Sequence, residues 1–261
     1  MHKIKEIGRA QAMTLGLGTI RRPRAEDLAI IKRTERVLGL LAHLSLADKT
    51  VLEIGCGNGV YTLSLAKLAQ RAIGIDIARD ALREAREDAV GFKANTEFAI
   101  ANAECLPFSD SCCDVVMIIE ALEHIQNPEI ALKEAERVLK NKGYLVVSVP
   151  NRLYPLEMHY IRIGKTIIRG FYGQVPFFSW APRFIRKRFQ TARIYTKKEI
   201  TKIVEENGFV ACQVQYSAFP RLDMLGRKRI TEFCDRFFTH LERNAFFKQF
   251  GMLIFVLAQK R

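Results

Sequence analysis

Between residues 50 and 150 short apolar runs alternate with amphipathic stretches, and this rhythm limits the folds open to the chain. Residues 50–54, 72–76, 97–101, 114–119 and 144–149 read as strands. Residues 60–69, 79–90 and 128–139 carry apolar positions at helical spacing, the last with Ile130, Leu132, Ala135, Val138 and Leu139 as its stripe. Strand and helix in turn predict a parallel sheet with helices on both faces. Ligands of such sheets bind beyond the carboxyl ends of the strands, at a switch in strand order. The loop after the first strand is therefore the expected site.

That loop lies in VLEIGCGNGVYTLSLAK, residues 51–67. It places Gly55, Gly57 and Gly59 between strand and helix, as expected where a ligand lies against bare backbone. The spacing rejects the dinucleotide fingerprint, whose third small residue would stand at position 60, where this chain has Val60. It also rejects the P-loop, because Gly59 is followed by Val60-Tyr61 and not by Lys-Ser/Thr. Asp76 ends the second strand about 20 residues on, where a carboxylate can accept from both ribose hydroxyls of a nucleoside. Glu53 adds an acid beside the loop. Residues 49–149 hold fifteen Asp and Glu against eleven Lys and Arg, which suits a cationic nucleoside better than an anionic one.

These residues resemble motif I of the class I S-adenosylmethionine-dependent methyltransferases, acid-x-Gly-x-Gly-x-Gly. AIGIDIA (72–78) is similar to that family's ribose strand, NAECLPFSDSCCDVVMIIEALEHI (102–125) to its approach to strand four, and RVLKNKGYLVVSVPN (137–151) to its following helix, turn and fifth strand. The branch most resembled is the type 11 group with the quinone-biosynthesis methyltransferases. The resemblance implies an α/β fold with a Rossmann-like seven-stranded sheet, mostly parallel with an antiparallel last strand, and an inserted lid after strand five. It implies S-adenosylmethionine as cofactor. Glu53, Gly55, Cys56, Gly57 and Gly59 would line its methionine part, Asp76 would hold the ribose and Ile77 would pack on adenine. Asn102, Ala103 and Glu104 would flank the adenine edge, and Glu120 would close the site near the sulfonium. Two positions depart from the pattern: Asn102 stands where Asp is usual, and Asn141-Lys142-Gly143 replaces Pro-Gly-Gly.

Methyl transfer from a sulfonium asks the protein mainly for orientation and a desolvated pocket. An oxygen or carbon acceptor also asks for a base, and His124, just past strand four, is the candidate; the competing reading has it shaping the pocket. Cys112 and Cys113 precede strand four, at the end away from the expected site, which counts against a thiolate nucleophile. The chain has no Cys-x-x-Cys and no zinc-like cysteine spacing, so no metal is expected.

The net charge of +13 is uneven: residues 151–198 carry eleven Lys and Arg against one acid, Glu157. The same block holds Tyr154, Tyr160, Phe171, Tyr172, Phe177, Phe178, Trp180, Phe184 and Phe189. Rings beside cations suit an apolar acceptor reached at an anionic membrane surface, the cations alone would also suit RNA, and the competing reading is a core-packed lid whose basic face meets only solvent. The leading reading is a methyltransferase for a small, lipophilic metabolite with peripheral membrane contact through 151–198. The alternative is an RNA methyltransferase, or a catalytically silent RNA-binding module on the same fold. Reduced thiols, the lack of a signal region and the lack of an apolar run of about 20 residues read as cytoplasmic. The expected organisation is an N-terminal arm and helix (1–48), the cofactor-binding core (49–150), a basic aromatic substrate lid (151–198) and a C-terminal completion of the sheet (199–261). The last part combines a helix at 197–206, strands at 209–216 and 251–257, and a charged helical stretch around 228–243.

Overall fold

The computed structural model describes residues 28–90, 95–157, 159, 161–163, 166–168, 175–217, 244 and 246–261. The arm expected at 1–24 and the helical stretch expected at 228–243 lie outside them. The described chain runs α1 (Leu28–Leu40), β1 (Thr50–Ile54), α2 (Val60–Ala66), β2 (Arg71–Asp76), α3 (Arg79–Asp88), β3 (Thr96–Ile100), β4 (Cys113–Ile119), α4 (Pro128–Val138) and β5 (Leu139–Pro150). After the basic block come α5 (Arg183–Phe189), α6 (Lys197–Glu206), β6 (Phe209–Ser217) and β7 (Leu253–Lys260). Helix α6 starts where a capping box should start it: Thr196 and Glu199 exchange hydrogen bonds with each other's backbone N–H.

The seven strands form one sheet in the order β6-β7-β5-β4-β1-β2-β3. β1 to β5 pair in parallel, and β7 runs antiparallel to both β5 and β6. The predicted seven-stranded sheet with an antiparallel last strand is thus observed. Alternation along β4 divides the core: Val116 and Ile118 pack with Leu132, Ala135 and Val138 of α4 and with Ile200 and Val204 of α6. Val115, Met117 and Ile119 pack on the other face with Val37 and Leu40 of α1 and Leu65 of α2.

Two differences have physical reasons. β5 begins at Leu139, five residues before the expected start, because Leu139 pairs with Cys113 before the chain bulges. Pairing resumes at Tyr144 opposite Val115, and Lys142 in the bulge has φ 60°. The basic block, in which the sequence shows few sheet-like runs, contains two small antiparallel ladders, Leu156–Glu157 with Val175–Pro176 and Ile161–Ile163 with Thr166–Ile168. Pairs of two or three residues are too short to leave a periodic trace. No described helix is long and apolar enough to cross a membrane.

Candidate active site

The parallel strands bring the expected residues to one edge of the sheet. All three loop glycines are left-handed, with φ of 75° at Gly55, 54° at Gly57 and 78° at Gly59. Their surroundings differ. A Cβ on Gly55 would come within 2.5 Å of the Ala121 Cβ, and one on Gly59 within 2.7 Å of the Phe98 ring. A Cβ on Gly57 would meet nothing within 4 Å. Gly55 and Gly59 are locked by packing, whereas Gly57 presents bare backbone to open space.

Asp76 joins loop and sheet. Its Oδ2 accepts from the Gly57 N–H at 2.8 Å and its Oδ1 from the Ala78 N–H at 2.8 Å. Ile77 next to it is 39% exposed, an apolar surface at the mouth of the site. Cys56 is buried under the loop, where burial pushes its thiol up and out of thiolate range.

Glu53 is buried beneath the loop and accepts a hydrogen bond from the Thr62 hydroxyl. Burial pushes its carboxyl up to about 8, against the pull of that hydrogen bond. A raised carboxyl contributes stability that is whole below its unfolded value, near 4.5, and is lost as pH rises toward 8. Glu53→Gln should therefore gain thermal stability over the parent progressively from pH 5 to pH 8. Melting curves across that range check this, and a pH-independent difference would contradict it.

After β3, Asn102 is exposed and its Oδ1 accepts from the Glu104 N–H at 3.0 Å, while Ala103 packs on the core. The Glu104 carboxylate is occupied by Asn127, which donates to it from its backbone N–H at 2.9 Å and its side-chain amide at 2.7 Å. Glu104 thus clasps the loop after β3 to the start of α4.

After β4, Glu120 sits at φ 51°, with its N–H donated to the backbone oxygen and hydroxyl of Ser148, each at 3.1 Å. Its carboxylate meets the buried guanidinium of Arg33, on α1, at 2.6 Å. Tyr61, at the start of α2, lies within the field of both. Sequence reasoning missed Arg33, because an arginine on an amphipathic helix reads as part of a solvated face.

His124 is not isolated either. Its Nε2 is 4.0 Å from Glu123 Oε1, and its ring stands edge-on to His159 with centroids 5.3 Å apart. One ligand atom from each of Glu123, His124 and His159 lies within 4.8 Å of the others. Glu123 Oε2 and His124 Nδ1 are buried without a hydrogen-bond partner. A carboxylate and two imidazoles form a donor set able to hold a divalent cation, and cysteine spacing carries no trace of it. Arg193 pins this turn by donating to the carbonyls of Ile125 at 2.5 Å and Gln126 at 2.8 Å. Burial, with the charges of His159 and Arg193, pushes His124 down to about 3, and burial raises Glu123 well above the usual carboxylate range. An imidazole near 3 is neutral at physiological pH but a weak general base.

The chain matches the family described as methyltransferase domain over residues 45–208. It is 32% identical over 111 residues to the ubiquinone biosynthesis O-methyltransferase of Hydrogenovibrio crunogenus, covering 42% of this chain and 46% of that protein. The match thus spans about half the length of the curated relative. In fold it resembles the S-adenosylmethionine-dependent methyltransferase from Mesorhizobium loti, at a TM-score of 0.57 and 18% identity over 85% of this chain and 96% of that one. It also resembles the cyclase SpnF, at a TM-score of 0.60 and 17% identity over 99% and 94%. At such identities the likeness speaks for the fold alone. The family match over more than half of the chain, together with the order of the sheet, makes this protein a member of the class I S-adenosylmethionine-dependent methyltransferase family.

Proposed function

We propose that this chain transfers the methyl group of S-adenosylmethionine to an oxygen or carbon of a small, lipophilic acceptor. The observation that carries the reading is Gly57: a left-handed glycine facing open space, hydrogen-bonded to an Asp76 carboxylate at the carboxyl edge of the sheet. Glu53, Gly55, Cys56, Gly57 and Gly59 shape the wall for the methionine part, with Gly57 the point of contact. Asp76 accepts from the ribose, Ile77 covers one face of the adenine, and Asn102, Ala103 and Glu104 border its edge. Glu120 stands next to Ala121, which packs on Gly55, so the Arg33–Glu120 pair forms a charged wall beside the loop. When bound, the cofactor supplies an activated methyl on a sulfonium. The protein's part is to orient the acceptor and exclude water. His124, neutral, half-buried and a weak base, serves to orient the acceptor by accepting its hydrogen bond.

The acceptor class rests on the block after β5. Phe177, Trp180 and Phe184 are 60%, 50% and 77% exposed, beside Arg183, Lys187 and Arg188. Rings and cations on one short segment favour a peripheral site on an anionic membrane, where a lipophilic acceptor is concentrated, in a protein of the cytoplasm. We expect cell extract incubated with the protein and methyl-labelled cofactor to yield label in organic-extractable material. Label confined to RNA would overturn the acceptor class and favour the RNA methyltransferase reading. RNA binding without cofactor turnover would leave a binding module.

A further inference from the structure

Of the six cysteines, only Cys112 and Cys113 are neighbours in sequence. Their sulfurs lie 3.6 Å apart at the start of β4. Cys113 is fully buried and Cys112 half-buried, so Cys112 is the sulfur a reagent reaches first. The backbone under the pair is held on both sides. The Cys112 N–H donates to the Val138 carbonyl at 2.9 Å, and Cys113 pairs with Leu139 of β5. Next along, Asp114 Oδ2 accepts from the Thr50 N–H at 2.9 Å and from Lys140 Nζ at 2.8 Å. Two thiols on a pinned strand end lower the ordering cost for any group that takes both.

The spacing decides what can take both. Neighbouring Cα atoms across a trans peptide are about 3.8 Å apart, under the roughly 4.4–6.8 Å that a disulfide usually spans, so direct closure is strained. A single bridging atom is under no such constraint. With bonds of roughly 2.3 Å to each sulfur, as in Zn–S, a separation of 3.6 Å corresponds to an angle of about 103° at that atom, close to tetrahedral. Burial, and then a charge on Cys112, pushes the Cys113 thiol up, which disfavours a cation that needs two thiolates. A neutral centre that exchanges oxygen for sulfur needs none. A trivalent arsenoxide, R–As=O, reacts in this way. Two S–H bonds and the arsenic–oxygen bond break, two As–S bonds form, and both protons leave with the oxygen as one water. Arsenic stays trivalent, and nothing is oxidised or reduced.

We propose that Cys112 and Cys113 form a paired-thiol capture site for a soft, trivalent oxo centre of the arsenoxide class, held between both sulfurs at the amino end of β4. The seven residues of β4 put roughly 20 Å between Cys113 and Ile119, which precedes Glu120. Capture is therefore separate from the donor site and does not depend on the methyl-transfer reading.

The probe is phenylarsine oxide, added to the full chain and followed by intact mass. The parent should take up one equivalent with loss of one water, keep it against excess monothiol and release it to ethanedithiol. Two-point attachment exceeds one-point attachment by about a hundredfold or more, so Cys112→Ala and Cys113→Ala should each weaken retention by about that factor. Cys113→Ala leaves a void in the core; Cys112→Ala, at a half-buried position, keeps the test independent of folding. Cys105→Ser/Cys212→Ser should retain the arsenical like the parent. No uptake by the parent, release by the monothiol, equal retention by Cys112→Ala, or lost retention in Cys105→Ser/Cys212→Ser overturns the site. Titration with S-adenosylmethionine before and after capture should agree within about twofold, and a tenfold loss overturns the separation from the donor site.

Discussion

Gly57→Ala is expected to fold almost as stably as the parent and to lose S-adenosylmethionine, while Gly55→Ala loses stability first. At Gly57 the only structural penalty is a side chain at φ 54°, about 1–2 kcal/mol, because the new Cβ meets nothing within 4 Å. For a chain of this size that lowers the melting temperature by about 2–8 °C. The same Cβ fills the space where the cofactor is to lie, and we expect its dissociation constant to rise at least about a hundredfold, some 2.8 kcal/mol. At Gly55 the penalty at φ 75° is joined by a contact of 2.5 Å with Ala121, an overpacking that typically costs about 1–3 kcal/mol more. Melting curves and cofactor titrations of both variants decide the matter. If Gly57→Ala binds the cofactor like the parent, the ligand does not lie against this loop.

The second large effect is at Asp76. Removing the carboxylate in Asp76→Ala should raise the cofactor's dissociation constant about a hundredfold or more, from two lost charge-assisted hydrogen bonds of about 1.5–3 kcal/mol each. Asp76→Asn keeps one acceptor oxygen and should fall between the two, about tenfold weaker than the parent. The carboxylate also braces the loop through the Gly57 and Ala78 N–H groups. Both are at the rim, where water can replace the lost acceptor, so the stability cost is about 1 kcal/mol. Retention of cofactor affinity within threefold in Asp76→Ala would exclude this residue as the ribose partner.

What could be read in advance follows from how local each signal is. The glycine loop, the strand ending at Asp76 and the helix at Lys197–Glu206 are written within a few residues: glycines where φ is positive, Thr196 and Glu199 where a helix starts, Asn207-Gly208 where it stops. The start of β5 was not, because a bulge depends on what Cys113 offers across the sheet. Arg33 and His159 were invisible for the same reason: their partners, Glu120 and His124, are distant in sequence. Glu104 shows the converse. The family pattern assigned it to the adenine edge, yet its carboxylate is held by Asn127 from the start of another element, a contact no motif records.

Glu120 carries a consequence for how such a chain can vary over generations. Its left-handed backbone, at φ 51°, is one that glycine adopts freely, so Glu120→Gly would relieve strain of about 1 kcal/mol. It would also leave the Arg33 guanidinium buried with its counter-charge removed, typically a loss of about 3–5 kcal/mol. The less strained residue is therefore barred for as long as Arg33 remains. Arg33 changed first would in turn leave Glu120 holding an unfavourable conformation for no partner. A change at either position is therefore expected to be tolerated best when the other changes with it, which ties the helix before the first strand to the end of β4.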